Sequence, residues 1–248
     1  MSESLGTYLE SLRSDAWRTL QCYPPHRSLV SYPKPLAAAK NAMAAHQLYA
    51  QACFAISKDV ESFNRHFRLA GEQLMLATQP HLLGAEGRPR RGTLYWDDAI
   101  LLPLMFDDDG TREAIQLLQP LDWAEDNKES DPWSTSCFRA VTATILEARD
   151  AREVTIEFVG INKNERRTWV GHAEAMRAIA TRDWKAFPES LALLCKGHRS
   201  ICAAGMYRNQ PIHNCFSLFG VAITRLAVRR GFEYSRPELL IPAELVRG

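Results

Sequence analysis

Val60–Ala77 reads VESFNRHFRLAGEQLMLA, and its apolar positions decide the fold class. Val60, Phe63, Phe67, Ala70, Leu74 and Ala77 follow one another at intervals of 3, 4, 3, 4 and 3. A helix turns about 100° per residue, so steps of three and four return to one face. The segment is therefore one continuous apolar stripe that needs a partner. The stretch before it supplies one. After YPKP, residues 36–57 are rich in Ala, with Met43, Leu48, Tyr49, Cys53 and Phe54 interspersed. Small side chains let a neighbouring helix approach closely. The two segments predict an antiparallel helical pair joined near Lys58 and Asp59.

The same period recurs along the chain. TLYWDDAILLPLMFDDDG (93–110) predicts a buried helix that Pro103 kinks or breaks, ended by Gly110. A short helix follows over 111–119, stopped by Pro120. Asp131 and Pro132 form a good helix start, acid as N-cap and proline in the first turn, ahead of Phe138, Val141, Ile145 and Leu146. Ala173, Met176 and Ala180 mark another face, and Pro188 opens a helix carrying Leu191, Leu194, Cys195, His198, Ile201 and Cys202. Ile212, Phe216, Phe219, Ile223 and Leu226 predict a last long helix, with Gly231 as its C-cap and an extended tail beyond.

One segment departs from this rhythm. In REVTIEFVGI (152–161), Val154, Ile156 and Phe158 alternate with Thr155 and Glu157, which is strand period. The expected fold is thus all-α, with antiparallel helix pairs in a tetratricopeptide-like or irregular bundle. It holds at most one short strand or hairpin near 153–160. No linker divides the chain, so a single domain over 1–248 is expected.

Composition narrows the function classes. The chain is 46% hydrophobic and 24% charged with a net charge of +1, which gives no general electrostatic drive toward nucleic acid or membranes. MSESLGTYLESLRSDAW carries acids where a secretory leader needs basic and apolar blocks, and the longest apolar run, 99–106, is too short to span a bilayer. A cytoplasmic protein is expected. The six cysteines are sparse and sit among apolar neighbours, which suits reduced core thiols.

Four features are candidates for chemistry or binding. Cys195, His198 and Cys202 share a helical face, with His213 and Cys215 following, and thiolates with imidazole suit zinc. That face also carries Leu191 and Leu194, so a buried face with a hydrogen-bonded histidine fits equally, and no metal or cofactor is expected. Arg208 and His213 match the Arg-polar-x3-His spacing of HEPN ribonucleases, where arginine would stabilise a pentavalent phosphate and histidine would move protons. Asn209 and Pro211 serve equally as a helix-start turn. RPRR (88–91) and NKNERR (162–167) are basic loops. Finally Asp122, Glu125, Asp126, Glu129 and Asp131 surround Trp123, with Trp133 nearby, an acidic patch suited to a basic protein partner. Neither a phosphate-cradling glycine loop nor a Gly-x-Ser-x-Gly elbow occurs.

The last third carries a resemblance. DWKAFPESLALLCKGHRS (183–200) and CFSLFGVAITRLAVRRGFEYSRPELLIPAELV (215–246) resemble the Imm49 family of immunity proteins. The likeness lies in Asp183, Phe187, Leu191, Leu194 and His198, and in the closing Pro237, Leu239, Leu240, Pro242 and Leu245. LYWDDAILLPLMFDDDGTREAIQLL (94–118) fits as well. The resemblance implies a non-enzymatic antidote that binds a cognate toxin, delivered by a type VI or contact-dependent system, and it carries no catalytic residues. On it, Asp122, Trp123, Glu125, Asp126, Glu129 and Asp131 are the expected toxin-binding residues. The alternatives are a HEPN-like ribonuclease using Arg208 and His213, and a helical-repeat adaptor for peptides.

Overall fold

The computed structural model describes residues 3–24, 32, 34–78, 96–106, 108–118, 132–205 and 211–247. Its α-helices are Glu3–Gln21 (α1), Pro35–Ser57 (α2), Val60–Ala77 (α3), Trp96–Phe106 (α4), Asp109–Leu118 (α5), Pro132–Ile145 (α6), Ala151–Glu165 (α7), Val170–Thr181 (α8), Phe187–Ala203 (α9), Leu218–Arg229 (α10) and Ala243–Arg247 (α11). Among the described residues there is no strand, and the all-α expectation holds. Glu238 and Ile241 form an isolated bridge. The chain clusters into two compact units, one from Met1–Leu102 and Asp108–Asp122, the other from Pro103–Asp107 and Trp123–Arg247.

In the first unit α2 packs against both α1 and α3. This explains its alanines: Ala38, Ala39, Ala42, Ala45, Ala50 and Ala52 are all buried because α2 is covered on two sides. The α2–α3 turn is as short as the sequence suggests. Lys58 takes the left-handed conformation (φ 58°) and its N–H donates to the Phe54 carbonyl. Asp59 then N-caps α3, accepting from the Ser62 N–H at 2.9 Å. Phe54, Phe63 and Phe67 close the pair, with ring centroids 6.0 and 4.5 Å apart. Full burial of one such ring stabilises by roughly 2–3 kcal/mol. Gly110 lies in the first turn of α5 rather than at an end, with Met75 against it.

In the second unit, α6 to α9 pack as successive neighbours. The segment expected to be a strand, 153–160, is inside α7. Val154, Thr155, Phe158, Val159 and Asn162 are buried, a helical spacing that the alternation of Val154, Ile156 and Phe158 masks in the sequence. Thr155 satisfies its hydroxyl on the Ala151 carbonyl at 2.8 Å, and Ile156 is left half exposed. Packing outweighs a β-branched composition here. NKNERR is likewise no basic loop: Asn162–Glu165 ends α7. Asn162 accepts from Trp133 Nε1 at 2.8 Å, and Arg166 lies over the Trp133 ring at 4.7 Å.

The final helix starts later than its apolar spacing suggests. Pro211–Asn214 is a separate 3-10 turn, and Ser217 N-caps α10 by accepting from the Gly220 N–H at 3.1 Å. Gly231 (φ 100°) does end the helix. The Gly231 N–H reaches the Val228 carbonyl and the Phe232 N–H the Ala227 carbonyl, a Schellman motif. Phe232 then packs on Phe187 at 4.7 Å.

Three arginines of this region cap other helices. Arg225 Nε donates to the Leu245 carbonyl in α11, and Arg229 donates to the Leu104 and Met105 carbonyls at the end of α4. Arg230 donates to the Ile145 carbonyl, the last residue of α6, and pairs with Glu147. Terminal carbonyls of a helix lack intrahelical partners and carry partial negative charge, so a guanidinium satisfies both needs.

Candidate functional site

Cys195, His198 and Cys202 do share a face of α9, and the Pro211–Asn214 turn brings His213 to it. A carbonyl can only accept, so His198 Nε2 carries the proton and donates to the His213 carbonyl at 2.8 Å. The Cys202 thiol points to the same oxygen at 3.8 Å. These two side chains therefore hold a turn in place. Cys195 is fully buried, and burial pushes its thiol up to about 11, well away from a thiolate. Among the described residues, no three His, Cys, Asp or Glu side chains are arranged to hold a metal ion.

Above this face lies an open pocket of about 280 Å³, lined by His198, Arg199, Cys202, Ala203, His213, Asn214 and Leu240. Burial, with His198 adding like charge, holds His213 down at about 4, so it is neutral at pH 7. Its partner in the ribonuclease reading, Arg208, lies outside the described residues, as does Asn209. The third histidine, His172 on α8, is held at about 3 by burial and by His198. It stacks on Trp169 with centroids 4.4 Å apart. The geometry is that of a neutral polar cluster closing an apolar core.

The acidic residues Asp122, Trp123, Glu125, Asp126, Glu129 and Asp131 also lie outside the described residues, together with RPRR at 88–91. Trp133, which the sequence sets beside that patch, is in the interior: it is 1% exposed and packs on Trp169 and Phe158.

The family model described as Immunity protein 49 matches residues 32–245, which spans both structural units. The chain belongs to the Imm49 family. No curated protein and no solved structure matches it. In this Imm49 chain Cys53, Cys137 and Cys195 are buried, while Cys202 and Cys215 are part-exposed and Cys22 is exposed. The match also extends well beyond the C-terminal stretches that carry the resemblance in the sequence. No helix among the described residues is long and apolar enough to cross a membrane.

Two features of this Imm49 member escape sequence reasoning. The N-terminal helix α1 is one, although Leu9, Ala16 and Leu20 are buried in it at near-helical intervals. The arginine caps of α10 are the other. They leave no local signal, because their partners lie up to 125 positions away in the chain.

Proposed function

We propose that this protein is an antidote that binds a cognate secreted toxin by direct contact and blocks it in the cytoplasm of the cell that makes both. The Imm49 match over residues 32–245 carries this reading. The protein acts by binding rather than by catalysis, within an effector–immunity pair used in competition between bacteria, with type VI secretion as the delivery route. The candidate contact surface is the acidic segment with Asp122, Trp123, Glu125, Asp126, Glu129 and Asp131, which offers carboxylates to a basic toxin face. Burial holds His213 at about 4, which leaves it a weak base for moving a 2′-hydroxyl proton and favours this reading over RNA cleavage.

The test is a pull-down of the purified protein with the C-terminal domain encoded by the gene immediately upstream, alongside an RNA-cleavage assay of the protein alone. A stoichiometric complex and no cleavage are expected. Cleavage lost in His213→Ala, with no complex, would replace the proposal by the ribonuclease reading. Charge reversal at Asp122, Glu125 and Asp126 is expected to weaken the complex while leaving the fold intact.

A further inference from the structure

Aromatic rings form a series from the surface of the first unit to its interior. Trp17 on α1 is 48% exposed and packs on Tyr49 of α2 with centroids 5.4 Å apart. Tyr49, half-buried, stacks on His66 of α3 at 4.5 Å, and the His66 ring lies 5.1 Å from that of His46. Both histidines are buried, and the series ends on their facing nitrogens, Nδ1 to Nδ1 at 3.0 Å. With both rings neutral, one Nδ1 carries a hydrogen and the other accepts it. A first added proton on the outer nitrogen of the donor ring leaves that bond in place and makes it charge-assisted. A second puts an N–H on both facing nitrogens and sets two cations in contact.

The groups around the pair do not offset that contact. Arg65 opposes protonation of His66 and Asp59 favours it, but the Asp59 carboxylate is already held as the N-cap of α3. From α1, Glu10 and Arg13 pair with each other at 2.6 Å, and both act on Cys53. On α2, Tyr49 and Cys53 are hydrogen-bonded to each other, and Lys58 lies over the Phe54 ring. α5 carries Asp109, Arg112 and Glu113 and meets α3 at Met75, further along the helix.

We propose that the His46–His66 pair is a two-proton latch: one proton leaves it closed, and a second parts the rings, displaces Tyr49 and frees Trp17 from α2 while the helices persist. The opening is local for two reasons. Phe54, Phe63 and Phe67 are fully buried and hold α2 to α3 on the turn side of the pair. Water enters along the ring series, whose outer member is already half exposed. Burial holds His46 at about 4, so the latch is closed at neutral pH and opens in acid. The device belongs to the scaffold and stands or falls apart from the antidote reading.

The test labels the full chain with fluorotryptophan and assigns the Trp17 resonance with Trp17→Phe. Fluorine spectra are then recorded from neutral pH down through about 4, beside helix circular dichroism. The Trp17 resonance is expected to move toward its unfolded-chain position with a steepness approaching two protons, while the helix signal is still native. His46→Gln leaves a single titrating ring in the pair and is expected to abolish the step, and His66→Gln likewise. A one-proton step, or the same step in either variant, would overturn the latch. So would a Trp17 resonance that stays put, or that moves only as the helix signal is lost, which is plain acid unfolding. Where neither variant folds, the steepness in the parent and the order of its two signals decide.

Discussion

Single side chains in this protein act mainly at helix ends. Ser217 is fully buried and its hydroxyl accepts the Gly220 N–H. Ser217→Ala removes that acceptor and is expected to destabilise by about 1 kcal/mol, read from the urea midpoint of the second unit. Arg225 is 5% exposed and donates to the Leu245 carbonyl. Arg225→Ala strips a buried charged donor and strands that carbonyl, so a loss of about 2–3 kcal/mol is expected, with protease cutting after α10 as the local readout. The cap at Gly231 is legible because a glycine after an apolar run states its role locally. The three arginine caps are not. TRLAVRRGF shows three basic residues on a helix, and nothing in it distinguishes solvent from a distant carbonyl.

At the level of elements, the same substitution has opposite signs at different glycines. In Gly197→Ala the added Cβ would stand on the Thr168 carbonyl, and in Gly171→Ala on the Leu194 backbone. Neither neighbour is a side chain that can swing away, so each variant forces α9 off the backbone packed against it. A loss of about 3 kcal/mol or more is expected at either site, measured by thermal or urea unfolding. Gly160, on the exposed face of α7, has nothing within 4 Å of where a Cβ would stand. Gly160→Ala is expected to stabilise by about 1 kcal/mol. These contrasts depend on the helical state of α7, which its sequence conceals. Val154, Ile156 and Phe158 read as an alternating face, yet Val154 and Phe158 are also four apart and bury together, while Ile156 faces water. Period two and period four coincide over so few residues, and only neighbouring α6 and α8 decide between them. By contrast, the stripe of α3 repeats long enough for its period to be unambiguous.

On the scale of the whole molecule, buried histidines set an acid limit in both units. In the first, His46 and His66 meet through their Nδ1 atoms at 3.0 Å, which requires one of those nitrogens to be unprotonated. Burial, with His66 adding like charge, holds His46 at about 4; in the second unit His213 is held at about 4 and His172 at about 3. The unfolded chain protonates these rings near the ordinary value of about 6.5. Between the two values the unfolded state binds more protons, so stability rises with pH there and is complete above about 6.5. Falling pH should therefore reduce stability progressively from about 6.5 to 4, with His172 extending the loss toward 3. Urea midpoints at about pH 7.5, 6 and 5 check this, and His46→Gln is expected to flatten the slope for the first unit. The candidate site is legible in the sequence only as chemistry-bearing residue types. Spacing places Cys195, His198 and Cys202 on one face correctly, but cannot reveal that His198 and Cys202 are directed at a backbone carbonyl rather than at a ligand. The family is legible from packing positions at the C-terminus, because those positions specify a fold.

The central claim is neutralisation, and growth measures it most directly. The C-terminal domain of the upstream gene's product is expressed from an inducible promoter, with and without this protein, and colony counts are compared. The antidote reading predicts that the domain alone arrests growth, that the protein alone is harmless, and that co-expression restores growth. Arrest that persists with the folded protein present, or a protein that is itself toxic until His213→Ala is introduced, would contradict it.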